Sequence, residues 1–425
     1  MTKNLILIED KIIENLEPIS STRTSLELQF GASNFYQQLK NDVKFDNISV
    51  FIRNYLKKST KNKFKEINIG KLDFEGDAII VNSLINLNNK DTIKLLKTKE
   101  KFIAKTGKNL VCARIPVSII KDIDNENTFR FIKKIAAIKK YPIKQIDSES
   151  LIRFPWDYIK ESGEAINRQY KLFKKLNSMK NIKTISDNKR IIISKNVKII
   201  DKNKIYLDSS NGPVIIDKGV TIEPFTFIKG PVYIGSETNI NGARIYPYTS
   251  IGDHCNIGGE VQNSIIHEYT NKAHEGYIGH SIIGSWVNLG ARTTNSDLKN
   301  TYGKIKMNIG NKRIQSKEVK FGCIIGDNTK TAIGSLIFTG IKIGVCGQLF
   351  GHVTEDIPAF TFYNKDKKKI LVEYNINKAI KIQERMMKRR GINQNNYDRN
   401  LLREIYNNTI EQRKMNRVKV GDMKI

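Results

Sequence analysis

Residues 272–303 read KAHEGYIGHSIIGSWVNLGARTTNSDLKNTYG. His274, Tyr277, His280, Asn288, Asn295, Asn300 and Tyr302 fall in this span, interleaved with Gly276, Gly279, Gly284, Gly290 and Gly303. Four uses can be weighed. A zinc site needs three or four converging ligands. His267, His274 and His280 qualify by type, but no acidic or cysteine ligand stands at a customary companion spacing. A covalent nucleophile would be Ser281 or a cysteine, and no nucleophile-elbow pattern surrounds either. A histidine general base suits acyl transfer to an amine, because an ammonium must lose a proton before it attacks. Glycine corners with bare backbone N–H groups would then hold the oxyanion. The fourth use is structural, a loop histidine without chemistry, and the residues alone leave it open beside the third.

The elements that must position these groups are announced by a six-residue beat. Ile216, Ile222, Ile228, Ile234 and Ile240 fall six apart; after one missing residue Ile245, Ile251 and Ile257 resume. The beat returns at Ile325, Thr331, Ile337, Ile343 and Leu349. Gly often follows the aliphatic, as in Ile234-Gly235, Ile251-Gly252 and Ile343-Gly344. Such a period predicts a triangular coil: each hexapeptide forms one wall, its aliphatic points inward, and coils stack into a continuous apolar column. Two interruptions are expected as projecting loops, one over roughly 262–282 and one over roughly 295–322.

Before the beat the texture is mixed α/β. NLILIED, NISVFIRNYL, DAIIVNSLI and LVCARIPVSII are short apolar runs; FYQQLKNDV and TIKLLKTKEKFI are helix-like. Their alternation predicts a wound parallel sheet. FPWDYIKESGEAINRQYKLFKKLN predicts a long amphipathic helix with Ile159, Ala165, Ile166, Tyr170, Leu172 and Phe173 on its apolar side. A basic amphipathic helix in YNINKAIKIQERMMKRRG should lay Ile376, Ala379, Ile380 and Met386 on the coil. The expected domains are 1–185 (α/β), 190–365 (coil) and 370–425 (helical tail).

Composition excludes several classes. At 425 residues with 39% hydrophobic and 27% charged side chains, the chain is neither disordered nor collagen-like. No apolar run reaches the roughly 18 residues of a membrane span. The start MTKNLILIEDK does not read as a secretion signal, and the four cysteines form no CxxC pair. A cytoplasmic protein is expected. The net charge of +29 comes from lysines spread along the chain, not from an arm interleaved with aromatics. It suits small anionic substrates better than nucleic acid.

The hexapeptide coil together with VNLGARTTNSDLKNTYG resembles the acetyltransferase half of the bifunctional N-acetylglucosamine-1-phosphate uridyltransferases. DSSNGPVIIDKGVTIEPFTFIKGPVYIG and the Phe154-Pro155-Trp156-Asp157 segment are similar to a divergent, Bacteroidetes-type branch of that family. The resemblance implies a left-handed parallel β-helix, a homotrimer and acetyl-CoA as donor. It implies His274 as general base, with Asn288 and Tyr277 contacting sugar phosphate or donor. Arg244 matches a phosphate-binding Arg, and Lys304 or Lys306 a second phosphate contact. Asn300 and Tyr302 match an Asn-Tyr pair, although Thr301 separates them here.

In the front domain LEPISSTRTSLELQFGA resembles the branch's PLTxTRPxxxLRxG, which makes Arg23 a nucleotide-binding residue. Thr24 replaces the motif's Pro and Gln29 its second Arg, and no GxGxR loop is present. Asn82 falls where the better-known enzymes place a Mg2+-binding acid, and Asn167 is the second ligand expected. The implied activity makes UDP-N-acetylglucosamine from glucosamine-1-phosphate, acetyl-CoA and UTP. A glucose-1-phosphate thymidylyltransferase-like enzyme, an acetyltransferase with a degenerate front domain, and a non-enzymatic assembly protein stand as alternatives.

Overall fold

Described residues of the computed structural model are 4–120, 128–173, 184, 188–365 and 370–421. Contacts divide the chain into two units: Met1–Leu16, Arg23–Leu28 and Ser33–Asp157, and Glu17–Thr22, Gln29–Ala32 and Tyr158–Ile425.

The apolar runs of the first unit form a seven-stranded sheet. Its order is Asn68–Ile69, Asn47–Phe51, Asn4–Ile8, Asp77–Asn82, Asn109–Pro116, Phe102–Thr106, Ile143–Gln145. The first four strands are parallel, as the alternating pattern predicts. The sheet is not wholly parallel, however. Asn109–Pro116 runs antiparallel to both neighbours. A two-residue turn, with Gly107 at φ +58°, joins it to Phe102–Thr106, and so short a link permits only a hairpin. The helix-like reading of TIKLLKTKEKFI therefore holds only in part: the helix spans Lys90–Lys97, and Phe102 and Ile103 are already strand. One face of the sheet packs Ile6, Ile8, Ile80, Ile103 and Ala113 with Phe131, Ile132 and Ile135 of helix Thr128–Ala137.

The second unit is the expected three-walled parallel β-helix. One wall is eight parallel strands, from Ile191–Ile193 to Ile341–Ile343. The hexapeptide aliphatics form one column: Ile216, Ile222, Ile228, Ile234, Ile240, Ile245, Ile251, Ile257, Ile325 and Ile343 are all fully buried. The short step from Ile240 to Ile245 is a register shift between Asn241 and Arg244.

The first expected interruption is not one. Coils continue through residues 262–282 as strands Ile265–Ile266, Asn271–Lys272 and Tyr277–Gly279. The inward positions there are Val261, Ile266, Lys272 and Ile278. Five-residue and shorter steps and a polar occupant break the period, while the stacking persists. The second is a true insertion, but it does not project freely. Its hairpin, Lys306–Ile309 with Lys312–Gln315, buries Ile305, Met307 and Ile309. Gly340 in the coil lets it close up, since a Cβ there would lie 3.0 Å from Ile305 Cγ2.

The long helix spans Pro155–Phe173 and lays Ile166 with Tyr170 and Phe173 against Ile215 and Tyr233 of the coil. Leu172, expected on the apolar side, is exposed. The expected residues 174–177 and the boundary at 185 lie outside the described residues. At the far end, strand Ile370–Glu373 pairs antiparallel with Thr361–Asn364 and covers that sheet edge. Helix Ile376–Lys388 buries Ala379 and Ile380 as expected, with Met387 in place of Met386. No described helix is long and apolar enough to cross a membrane.

Candidate functional site

On the wall formed by the ends of strands Asn239–Ile245 and Asn256–Gln262 and by Tyr277–Gly279, Arg244, Glu260 and Tyr277 occupy equivalent outward positions on successive coils. Their inward neighbours Ile245, Val261 and Ile278 are fully buried. Coil stacking therefore sets these three side chains about 4.8 Å apart, rung to rung. The Arg244 guanidinium lies 3.6 Å from Glu260 and 4.0 Å from Glu275. It is half-exposed, so an incoming phosphate can compete for it.

His274 sits on the turn between strands Asn271–Lys272 and Tyr277–Gly279. It is exposed, and its imidazole makes no hydrogen bond to a described residue. The turn needs Gly276, at φ +130°, where a Cβ would meet the Thr293 carbonyl oxygen at 2.2 Å. Asn288 lies on another wall, directly above Asn271 in the next coil. Its Oδ1 accepts from Asn271 Nδ2 at 2.9 Å, the end of a ladder through Asn239, Asn256 and Asn271.

Tyr277 is held by a partner that sequence reasoning missed. Its hydroxyl donates to Asp297 Oδ2 at 2.7 Å, and His280 Nδ1 lies 2.6 Å from the same oxygen. Burial works to raise the Asp297 carboxyl, but the His280 and Tyr277 hydrogen bonds outweigh it and hold the group below its ordinary value. Burial, then Asp297, pushes the Tyr277 hydroxyl well up, so it stays a donor. Asn300, Tyr302 and Lys304 are exposed on the segment leading into the hairpin. No hydrogen bond ties them to Arg244, His274 or Tyr277; Lys299 Nζ donates to the Lys304 carbonyl at 2.8 Å. Lys306 is exposed at the hairpin's start.

In the first unit the expected nucleotide residues are sealed. Arg23 is only 4% exposed, and its carbonyl accepts from Arg53 Nη2 at 2.9 Å. Arg53 in turn grips fully buried Glu9 through Nε at 3.0 Å and Nη2 at 3.3 Å. Asn82 is fully buried. Its Nδ2 donates to Asp10 Oδ2 at 3.2 Å and to the Leu110 carbonyl at 3.0 Å, and its Oδ1 accepts from the Leu84 N–H. Burial raises the Asp10 carboxyl, against the opposing N–H donors of Lys11 and Ile12. Asn167, in the second unit, is exposed and donates to Glu164. Among the described residues no three His, Cys, Asp or Glu side chains are placed to hold a metal ion. With its amide oxygen already engaged and no solvent exposure, Asn82 does not fit Mg2+ as packed.

Residues 5–178 match the family described as sugar nucleotidyl transferase. The chain is also 32% identical over 142 residues to a bifunctional sugar-1-phosphate nucleotidylyltransferase/acetyltransferase of Sulfurisphaera tokodaii, covering 33% of this chain and 35% of that one. It is 36% identical over 130 residues to the bifunctional protein GlmU of Methanocaldococcus jannaschii, covering 29% and 32%. For the GlmU of Methanococcus aeolicus the figures are 30% over 167 residues, 38% and 40%. The matched stretches thus span from 32% to 40% of these relatives' own lengths. Over those stretches the chain is similar to these bifunctional proteins.

Three neighbours of the expected residues escaped the sequence. Glu260 had a signal, since it follows Arg244 by one coil at the equivalent outward place. Lys272 had one too, an amine standing where the beat calls for an aliphatic. Asp297 had none, because its meeting with His280 depends on where the coil resumes before the hairpin.

Proposed function

We propose that the β-helix transfers an acetyl group from acetyl-CoA to the amine of a sugar phosphate. The observation that carries this reading is the wall itself: Arg244, Glu260 and Tyr277 on successive rungs, with His274 on the turn that leads into Tyr277. Arg244 binds the phosphate dianion, drawn from its two carboxylate neighbours. Tyr277, fixed by Asp297, donates to a substrate oxygen. His274, exposed and unengaged, takes the proton from the ammonium. The freed amine attacks the thioester carbonyl; as the tetrahedral intermediate collapses the C–S bond breaks, and the nitrogen's second surplus proton leaves with coenzyme A as its thiol. Asn288 and the exposed Asn300, Tyr302 and Lys304 border the substrates, in a homotrimer whose sites lie between subunits.

The nucleotidyl transferase domain would couple the acetylated sugar phosphate to a nucleoside triphosphate. The specific reading is glucosamine-1-phosphate, acetyl-CoA and UTP as cytoplasmic substrates, with UDP-N-acetylglucosamine as product. A second reading has support of its own: sealed Arg23 and Asn82 favour an acetyltransferase whose front domain no longer turns over.

Incubating the full chain with glucosamine-1-phosphate, acetyl-CoA, UTP and Mg2+, and identifying products by mass, tests both. UDP-N-acetylglucosamine supports the full reading. N-acetylglucosamine-1-phosphate alone supports the second, and neither product rejects both.

A further inference from the structure

The inward column that passes through Ile222, Ile240 and Ile257 is continued on the next coil by Lys272. An ammonium in an apolar column loses hydration and persists only where partners replace the water. Lys272 is 2% exposed, and its Nζ donates to the Gly258 carbonyl at 2.6 Å and to the His274 carbonyl at 3.0 Å. Gly259 makes the room, since a Cβ there would lie 2.8 Å from that Nζ. The chain thus gives up a side chain on one coil and an aliphatic on the next, and the result is a cation beneath the His274 turn.

We infer that Lys272 is a positioning residue for His274: its ammonium ties the His274 carbonyl to the Gly258 carbonyl of the coil below, and so fixes the turn from which the imidazole projects. The inference rests on His274 as the base. Nothing in the column itself needs an amine, and the apolar alternative is present on three earlier coils. Burial pulls Lys272 down to about 8, against Glu275 and Glu260, which favour its charge, and together with Arg244, which opposes it. Above that pH the two charge-assisted bonds become neutral ones and weaken.

The test uses the full chain with histidine labelled with carbon-13 at the carbonyl, titrated from about pH 6 to about pH 10 across the Lys272 range. The His274 carbonyl, assigned by its loss in His274→Gln, should shift with a midpoint near 8. In Lys272→Met, which keeps chain length and fills the column, that shift should vanish. In acetyl transfer to glucosamine-1-phosphate the same variant should lose about 10- to 100-fold in kcat, with KM little changed and the melting temperature not lowered. A flat carbonyl titration in the wild type overturns the inference. So does an unaltered kcat in Lys272→Met, or a loss that only tracks a lowered melting temperature. Absence of acetyl transfer by the wild type sinks the base reading instead, which the carbonyl titration does not depend on.

Discussion

The Tyr277 hydroxyl and the His280 imidazole meet at a single oxygen of Asp297, at 2.7 and 2.6 Å. One carboxylate therefore fixes the tyrosine that the proposed site needs and a histidine from the next corner of the coil. Asp297→Asn removes the charge that both hydrogen bonds share. Bonds to a charged group are each worth about 1.5–3 kcal/mol, so the variant should lose about 2 kcal/mol of stability at neutral pH. Because the folded carboxyl lies below its ordinary value, its contribution is present above the unfolded pKa and disappears as pH falls through the folded one. Thermal melts across acid pH should show wild type losing that margin and Asp297→Asn already lacking it. In acetyl-transfer assays the loosened tyrosine should raise KM for the sugar phosphate several-fold more than it lowers kcat.

Asn288 and Asn256 share one side-chain ladder but differ in what they border. Asn256 both accepts from Asn239 and donates to Asn271, at 2.9 and 3.1 Å, so Asn256→Ala breaks two bonds. Water can reach this partly exposed row, and the expected cost is about 1 kcal/mol. Asn288→Ala breaks one ladder bond and should cost less. If Asn288 touches substrate, its variant alone should lose about tenfold in acetyl transfer, roughly one lost hydrogen bond. Equal activities for the two variants, measured at matched fractions folded, would leave Asn288 a ladder residue only.

Gly276 joins His274 to Tyr277 at φ +130°, facing the Thr293 carbonyl. A methyl group there must push the turn outward. Gly276→Ala should cost about 2 kcal/mol or more, from strain and from the clash. It should also abolish acetyl transfer even well below its melting temperature, because base and tyrosine would no longer keep their spacing. Retained activity would mean that the turn is not the site.

The isoleucine beat made the β-helix legible because every coil repeats one steric demand, an aliphatic on each wall. It failed between Ile257 and Ile325 for two physical reasons. Tight corners shorten the step to Val261 and Ile266, and Lys272 and Asn295 fill inward places with polar groups that their neighbours' backbones satisfy. In the front unit, strand positions could be read from short apolar runs, but direction could not. Whether Asn109–Pro116 turns back on Phe102–Thr106 depends on the two residues at Gly107 and Lys108, not on hydrophobic pattern. Arg244, His274 and Tyr277 were singled out by resemblance alone; the coil adds that Arg244 and Tyr277 share one wall, with Glu260 between them. Asn82 illustrates the limit: its position was readable, but its three hydrogen bonds are set by the loop of Asp10, the strand of Leu110 and the turn at Leu84.

Glu9 and Arg53 offer a last test, of the front unit. The Glu9 carboxylate is fully buried at the end of strand Asn4–Ile8, and accepts from Arg53 Nε, the Arg53 N–H and the Ser25 N–H. That makes it the counter-charge that keeps Arg53 bound to the Arg23 carbonyl. Glu9→Gln keeps the shape and takes away the carboxylate that the largely buried Arg53 guanidinium grips. Breaking one side of a buried pair costs roughly 3–5 kcal/mol. The front unit should therefore lose protection from hydrogen exchange in strands Asn4–Ile8 and Asn47–Phe51, which flank the knot. If the segment carrying Arg23 must instead open for nucleotide to bind, the same variant should release it. Nucleotidyl transfer, if the wild type performs it, should then fall less than the stability loss predicts. Unchanged exchange in both strands would show that the Glu9–Arg53 pair does not hold this end of the sheet together.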